Sequence, residues 1–159
     1  MPAPDLRPEL IALLPRLRRF ARALCGNAHD ADDLVQTTVE RALRHAGQLR
    51  PDSQLAGWTF GILRNAWIDE QRARGRRTRL FAAEESGEHV ADATHGSQAE
   101  LLAVQEALQR LPEEQRLAVA LVLIEGLSYK EAAHIMQVPV GTLTSRLARG
   151  REALQELLT

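Results

Sequence analysis

Apolar residues return every three or four positions from Leu6 to Leu24, through Leu10, Leu13, Leu14, Leu17, Phe20 and Ala21. That spacing is one face of a helix. Pro15 interrupts the series and either kinks one helix or opens a second at its first position. Gly26 and Asn27 close the segment. Asp30 then has the character of an N-cap, with Asp32 and Asp33 in a first turn where the helix dipole favours anions. Leu34, Val35, Thr38, Ala42 and Leu43 form the inward stripe of this second helix. After the polar break HAGQLRPDSQ (45–54), a third helix spans about Leu55 to Ala73.

From Thr78 to Gly96 the pattern loses its period. The stretch is acidic, with scattered Gly and Ser, and reads as a flexible tether. Such length is uncommon inside a compact domain. The chain therefore divides into residues 1–77, a linker at 78–97, and residues 98–159. SQAE at Ser97–Glu100 is a capping box, in which serine and glutamate satisfy free amides reciprocally. Leu101, Val104, Leu108 and Leu111 follow. Pro112 starts the helix of EEQRLAVALVLIEG, and Gly126 stops it. SYKE at Ser128–Glu131 is a second capping box, and its short helix ends near Met136. After QVPVG a last helix carries Leu143, Leu147, Leu154 and Leu158. No strand pattern competes. The expected class is all-α: two small helical domains joined by a flexible acidic linker.

Composition refines this picture. A hydrophobic fraction of 45% with 26% charged residues describes a soluble globular chain, and 4% aromatics leaves the cores to aliphatic side chains. The single cysteine, Cys25, excludes an internal disulfide or a cysteine metal cluster and fits a reducing cytoplasm. MPAPDLRPEL lacks the layout of a signal peptide, and no stretch approaches the roughly 18 apolar residues of a membrane helix. The net charge of -1 hides blocks of opposite sign. Six arginines lie between Arg64 and Arg79, and five carboxylates with no Lys or Arg between Glu84 and Glu100. A basic patch beside an acidic tether fits a polyanion-binding surface; chance segregation on two solvated faces gives the same pattern. Arginine almost replaces lysine, Lys130 being the only one. Arginine grips phosphate with a two-pronged fork, although genome base composition also biases its use.

The last two helices have the spacing of a helix-turn-helix. Ala133 is the small residue at the crossing, Gln137 holds the turn, and Val138 and Leu143 pack back. A left-handed turn at Gln137 costs a non-glycine residue roughly 1 kcal/mol. With Val140, Leu143, Leu147 and Leu154 facing the core, Gly141, Thr144, Ser145, Ala148 and Arg149 point outward, and Arg146 lies on the flank. Small residues let a helix enter a groove about 12 Å wide. Thr144 and Ser145 reach base edges, Arg149 a guanine or a phosphate, and Arg146 a phosphate. Thr142 and the amides at the helix start suit a backbone phosphate. A solvated bundle helix is the plainer account of the same residues.

In the third helix Trp58, Ile62, Asn65, Asp69 and Arg72 share one face. Trp58 and Ile62 suit a core. Asn65 and Asp69 either tie down a neighbouring loop or contact DNA, and the run Arg72, Arg74, Arg76, Arg77 suits phosphate.

DADDLVQTTVERAL followed by LAGWTFGILRNAWIDEQRARGRR resembles the core and promoter-melting region of the extracytoplasmic-function sigma factors of bacterial RNA polymerase. LPEEQRLAVALVLIEGLSYKEAAHIMQVPVGTLTSRLARGREAL resembles that family's C-terminal promoter-binding region. The resemblance covers about residues 10–77 and 100–157, in the expected order across the tether. It implies that Asp32, Asp33, Leu34, Val35 and Gln36 dock on the polymerase clamp. It implies that Arg50, Ser53, Gln54, Trp58, Asn65, Asp69, Arg72 and Arg76 meet the minus-ten element, where the loop at 48–54 captures an extruded base. The last helix, through Val140, Gly141, Thr142, Thr144, Ser145, Arg146 and Arg149, would read the minus-thirty-five element. The tether would thread near the polymerase active centre.

The sequence departs from the family at three places. Thr37 stands where Glu usually follows DLVQ. Gly150 replaces a usual Ala, at about 1 kcal/mol of helix stability. Thr144 replaces a lysine, so base preference there does not carry over.

The implied activity is promoter-specific transcription initiation by a cytoplasmic subunit, monomeric when free, with no catalysis, cofactor or metal of its own. Its partners would be core RNA polymerase, promoter DNA and an anti-sigma protein. A sigma-like interaction module that sequesters an anti-sigma protein without binding DNA is the alternative. An independent helix-turn-helix regulator would need a dimerisation element, and none is visible. His29, His45, His89, His95 and His134 are scattered, and no nucleophile has a His–Asp partner or a phosphate-binding glycine loop.

Overall fold

The computed structural model describes residues 5–50, 54–80 and 97–159. Seven α-helices follow one another among them: α1 (Arg7–Cys25), α2 (Ala28–Arg44), α3 (Leu55–Leu80), α4 (Ser97–Arg110), α5 (Glu113–Val119), α6 (Tyr129–Met136) and α7 (Val140–Leu158). A 3-10 turn at Ala46–Gln48 follows α2, and a π-helical turn at Ala120–Ile124 continues α5. No strand occurs among the described residues. Residues 81–96 of the expected tether (78–97) and residues 51–53 of the loop expected to capture a base (48–54) lie outside them, as does the side chain of Ser97, so the expected capping box there is not seen, although α4 begins at Ser97.

Helices α1, α2 and α3 form the N-terminal domain. Pro15 sits inside a continuous α1, which ends at Gly26 with φ 79°. Asn27, not Asp30, caps α2. Its side chain accepts the Asp30 amide at 2.8 Å and donates to the Asp30 carboxylate at 2.9 Å. Both residue types suit the cap, and Asn27 wins because it lets the helix begin one turn earlier against the Gly26 stop. That contact, with Arg74 at 2.9 Å, holds the Asp30 carboxyl below its ordinary value. Helix α3 runs on to Leu80, taking in the first three residues expected in the tether. Glu70 bridges Arg74 at 3.2 Å and Arg77 at 2.9 Å, a ladder at helical spacing that carries the basic turn forward.

Helices α4 to α7 form the C-terminal domain. Of the predicted stripe only Leu108, near the end of α4, and Leu111, just past it, are buried; Leu101 and Val104 are exposed. Gly126, with φ 73°, ends the π turn. Phe20 and Phe60 meet edge to face, with centroids 5.3 Å apart. They belong to the same continuous hydrophobic cluster as Leu121, Met136, Leu143 and Leu147. The two domains therefore pack against each other across one core. A smaller cluster of Leu6, Leu10, Ala42 and Ala46 takes in Trp58 and Ile62, as expected of those two side chains.

Candidate nucleic-acid and polymerase interface

Ser128 caps α6, accepting the Glu131 amide at 3.1 Å while the Glu131 carboxylate accepts the Ser128 amide at 3.2 Å. Ala132, Ala133, Ile135 and Met136 face inward. Gln137 turns the chain with φ 58° and ψ 44°, the only non-glycine residue at positive φ among the described residues. Its amide and that of Val138 close the end of α6 on carbonyls of Ala133 and His134. Pro139 precedes α7 without a side-chain cap, so the first amides of α7 keep free donors at a positive dipole end.

Leu143, Leu147 and Gly150 anchor α7. Gly141, Thr144, Ser145, Ala148 and Arg149 are exposed, as their spacing predicts, and Thr142 is half-buried. Val140 departs from its expected inward position: it is 45% exposed, at the free start of the helix one turn ahead of Leu143. The Thr144 hydroxyl donates to the Val140 carbonyl at 2.9 Å, and the Ser145 hydroxyl to Gly141 at 3.1 Å. Their acceptor lone pairs still face outward. Arg146 is half-buried and holds Glu114 at 3.3 Å.

On α3, Asn65, Asp69, Arg72 and Arg76 are exposed on one face. Asp69 receives Arg41 at 3.2 Å, which ties α2 to α3 as the plainer reading of that aspartate requires. Asn65 accepts from Arg64 at 3.1 Å. Trp58 is half-buried in the smaller cluster. Arg50 and Gln54, exposed, flank residues 51–53; Ser53 lies outside the described residues. Arg64 was not singled out by its spacing. Its Nε is buried without a partner, and burial, with Arg72 and Arg146 nearby, pushes its guanidinium below the ordinary value.

Of the five residues expected to meet polymerase, Asp32, Asp33 and Gln36 are exposed, whereas Leu34 and Val35 are buried. Val35 lines the floor of a shallow groove of about 520 Å³ between α1 and α2, with Leu14 and Val39 beside it and Arg18, Asp32, Gln36 and Glu40 around it. Leu34 is buried in the core cluster and does not line this groove. Among the described residues no group of three His, Cys, Asp or Glu side chains is placed to hold a metal ion.

Residues 10–77 match the Sigma-70 region 2 family and residues 101–154 the Sigma-70 region 4 family. The chain belongs to the extracytoplasmic-function sigma factors. It is 42% identical to the ECF RNA polymerase sigma factor EcfG of Rhodopseudomonas palustris over 99% of this chain and 88% of that protein. It is 40% identical to the ECF RNA polymerase sigma factor SigM of Mycobacterium tuberculosis over 90% of this chain and 71% of that one. The fold matches the sigma factor RpoE of Bartonella quintana, solved in complex with the anti-sigma factor NepR. The TM-score is 0.82 and the identity 37%, over 97% of this chain and 96% of that one. The sigma factor is thus a promoter-specificity subunit rather than an enzyme, built from two helical domains. No described helix is long and apolar enough to cross a membrane.

Proposed function

We propose that this sigma factor places α7 in the major groove of the minus-thirty-five element and α3, with the preceding loop, on the minus-ten element. The α1–α2 groove docks on core polymerase. Residues 1–77 and 98–159 are the two DNA-reading units, joined through 78–97. The observation that carries this reading is the outward face of α7. Gly141, Thr144, Ser145, Ala148 and Arg149 are exposed together, while Leu143, Leu147 and Gly150 hold the opposite face. A helix about 10–12 Å across, with small side chains leading, fits a groove about 12 Å wide. On α2 the polymerase contact falls to Asp32, Asp33, Gln36 and the Val35 edge of the groove.

The work takes place in the cytoplasm, where the polymerase is, and an anti-sigma protein is the expected antagonist. Run-off transcription with core polymerase on a genomic fragment library tests the reading. Discrete start sites that vanish with Arg146→Ala and Arg149→Ala support it; absence of association with core polymerase refutes it. A module that only titrates an anti-sigma protein would be untouched by those two substitutions.

A further inference from the structure

In this structure the two domains are held together by charge as well as by the shared core. The Glu125 side chain, at the end of the π turn, has no solvent exposure. It accepts from Arg19 Nε at 2.8 Å and Nη2 at 2.9 Å, a two-pronged pair, and from Arg16 at 3.4 Å. Both arginines lie on α1, in the other domain. Arg16 is further fixed over the Phe60 ring, 5.0 Å from its centroid. A second tie is Arg116 of α5, which donates to the Leu24 carbonyl of α1 at 2.9 Å. Gln109 of α4 adds a bond to the Ala23 carbonyl at 3.0 Å. Arg116 thereby joins two helix ends whose last carbonyls lack partners within their own helices.

This closed arrangement is incompatible with the proposed reading of promoter DNA, on which the inference rests. Elements centred about 25 base pairs apart lie about 85 Å apart at 3.4 Å per step. Here α3 packs directly on α6. One duplex cannot meet α3 and α7 at that separation while α3 is packed on α6, the helix that precedes α7. The closed state also carries its own opposition, because Arg64 on α3, already near Arg72 of its own helix, lies near Arg146 on α7 with like charge. A buried ion pair gains little net energy over its hydrated halves, so it defines a geometry more than it strengthens one. Such a contact opens readily when a partner favours the separated state.

We propose that Arg16, Arg19 and Glu125 form a latch that keeps the free sigma factor closed and unable to engage polymerase and promoter together. Opening the latch is then a step of holoenzyme assembly.

The test uses the full chain in small-angle scattering at low salt. The wild type should have a radius of gyration of about 15 Å, that of a compact chain of this length. Arg16→Glu with Arg19→Glu, both on the accessible side of α1, should raise it above about 20 Å. Adding Glu125→Arg to that variant should restore the compact value, which separates an opened latch from a damaged fold. The open variant should also associate with core polymerase faster than wild type, by about tenfold if one chain in ten is open at rest. A wild type already extended, a reversed variant that stays compact, or an open variant that associates no faster each overturns the latch. Scattering involves no polymerase. If it behaves as expected while neither protein binds core polymerase, the functional reading fails and closure stands.

Discussion

Gly150 and Val119 pack so closely that a Cβ added to the glycine would lie 2.8 Å from Val119 Cγ2. The Gln115 carbonyl would be 3.2 Å away. The glycine that looked like a helix-weakening departure is therefore what lets α7 lie against α5. Alanine at this position gains about 1 kcal/mol of helix propensity. It must also displace a β-branched side chain with little rotamer freedom. We expect Gly150→Ala to leave stability unchanged or lower it by about 1 kcal/mol, and Gly150→Leu to lower it by about 1–3 kcal/mol. In a Val119→Ala background the alanine should regain its propensity advantage. Thermal unfolding of the four members of that cycle measures the coupling.

Arg116 makes more side-chain hydrogen bonds than any other side chain among the described residues. Its guanidinium donates to the carbonyls of Leu24, Leu108, Gln109 and Leu111 at 2.8 to 3.1 Å, and burial pushes its pKa down. Three of those acceptors end α4 in its own domain, so the cost of losing them does not depend on domain closure. Arg116→Met should lower unfolding stability by at least about 2–3 kcal/mol, because buried acceptors lose their donors. Lysine should rescue little, since one ammonium cannot reproduce the planar fork. Denaturant titration of both variants checks the order.

The helices themselves were legible because their signals are local. Gly26, Gly126, the Ser128–Glu131 box and the small Ala133 each act within one turn, and Gln137 adopts a left-handed turn in spite of its cost to a non-glycine residue. The outward face of α7 followed from a period. What escaped reading depends on contacts the chain makes far from itself. Glu125 meets Arg19 across 106 residues, and Arg116 meets Leu24 across 92. In the sequence both look like ordinary polar positions at the edge of an apolar run. The extension of α3 to Leu80 was missed for a different reason. It rests on a ladder from Glu70 that a helix-period search for apolar residues does not count.

Cys25 supplies a pH signature. Burial, and then the negative charge of Asp30, push its thiol up to about 11 from an ordinary 9.0. The folded state therefore holds this proton more tightly than the unfolded chain. The stability linked to it is fully present below pH 9 and is lost as pH rises through about 11. Between pH 8 and 10.5 the wild type should lose on the order of 1–2 kcal/mol more than Cys25→Ala. The two proteins differ only at this side chain, so the difference isolates the thiol. Equal slopes in urea unfolding at the two pH values would remove this assignment. The same shift predicts slow alkylation of Cys25 at pH 8, because little thiolate is present.

Arg146 and Arg149 sit three residues apart on α7 yet should fail differently. Arg149 is exposed and makes no ion pair among the described residues, so it is free to reach a base edge or a phosphate. Arg146 is drawn back to Glu114 at 3.3 Å on the flank of α7, where the proposed docking would bring the phosphate backbone. Arg146→Ala should weaken holoenzyme binding on all promoters alike and reduce the slope of log affinity against log salt by about one. Arg149→Ala should cost about 1–3 kcal/mol and relax preference at one base pair of the minus-thirty-five element. Thr144→Ala should alter preference at a neighbouring base pair with no change in salt slope. Anisotropy titrations of the three holoenzymes, on a promoter and its single-base variants at several salt concentrations, separate these outcomes. Equal salt slopes for Arg146→Ala and the wild type would remove the phosphate role. Unchanged base preference with Arg149→Ala would move that arginine from base edge to backbone.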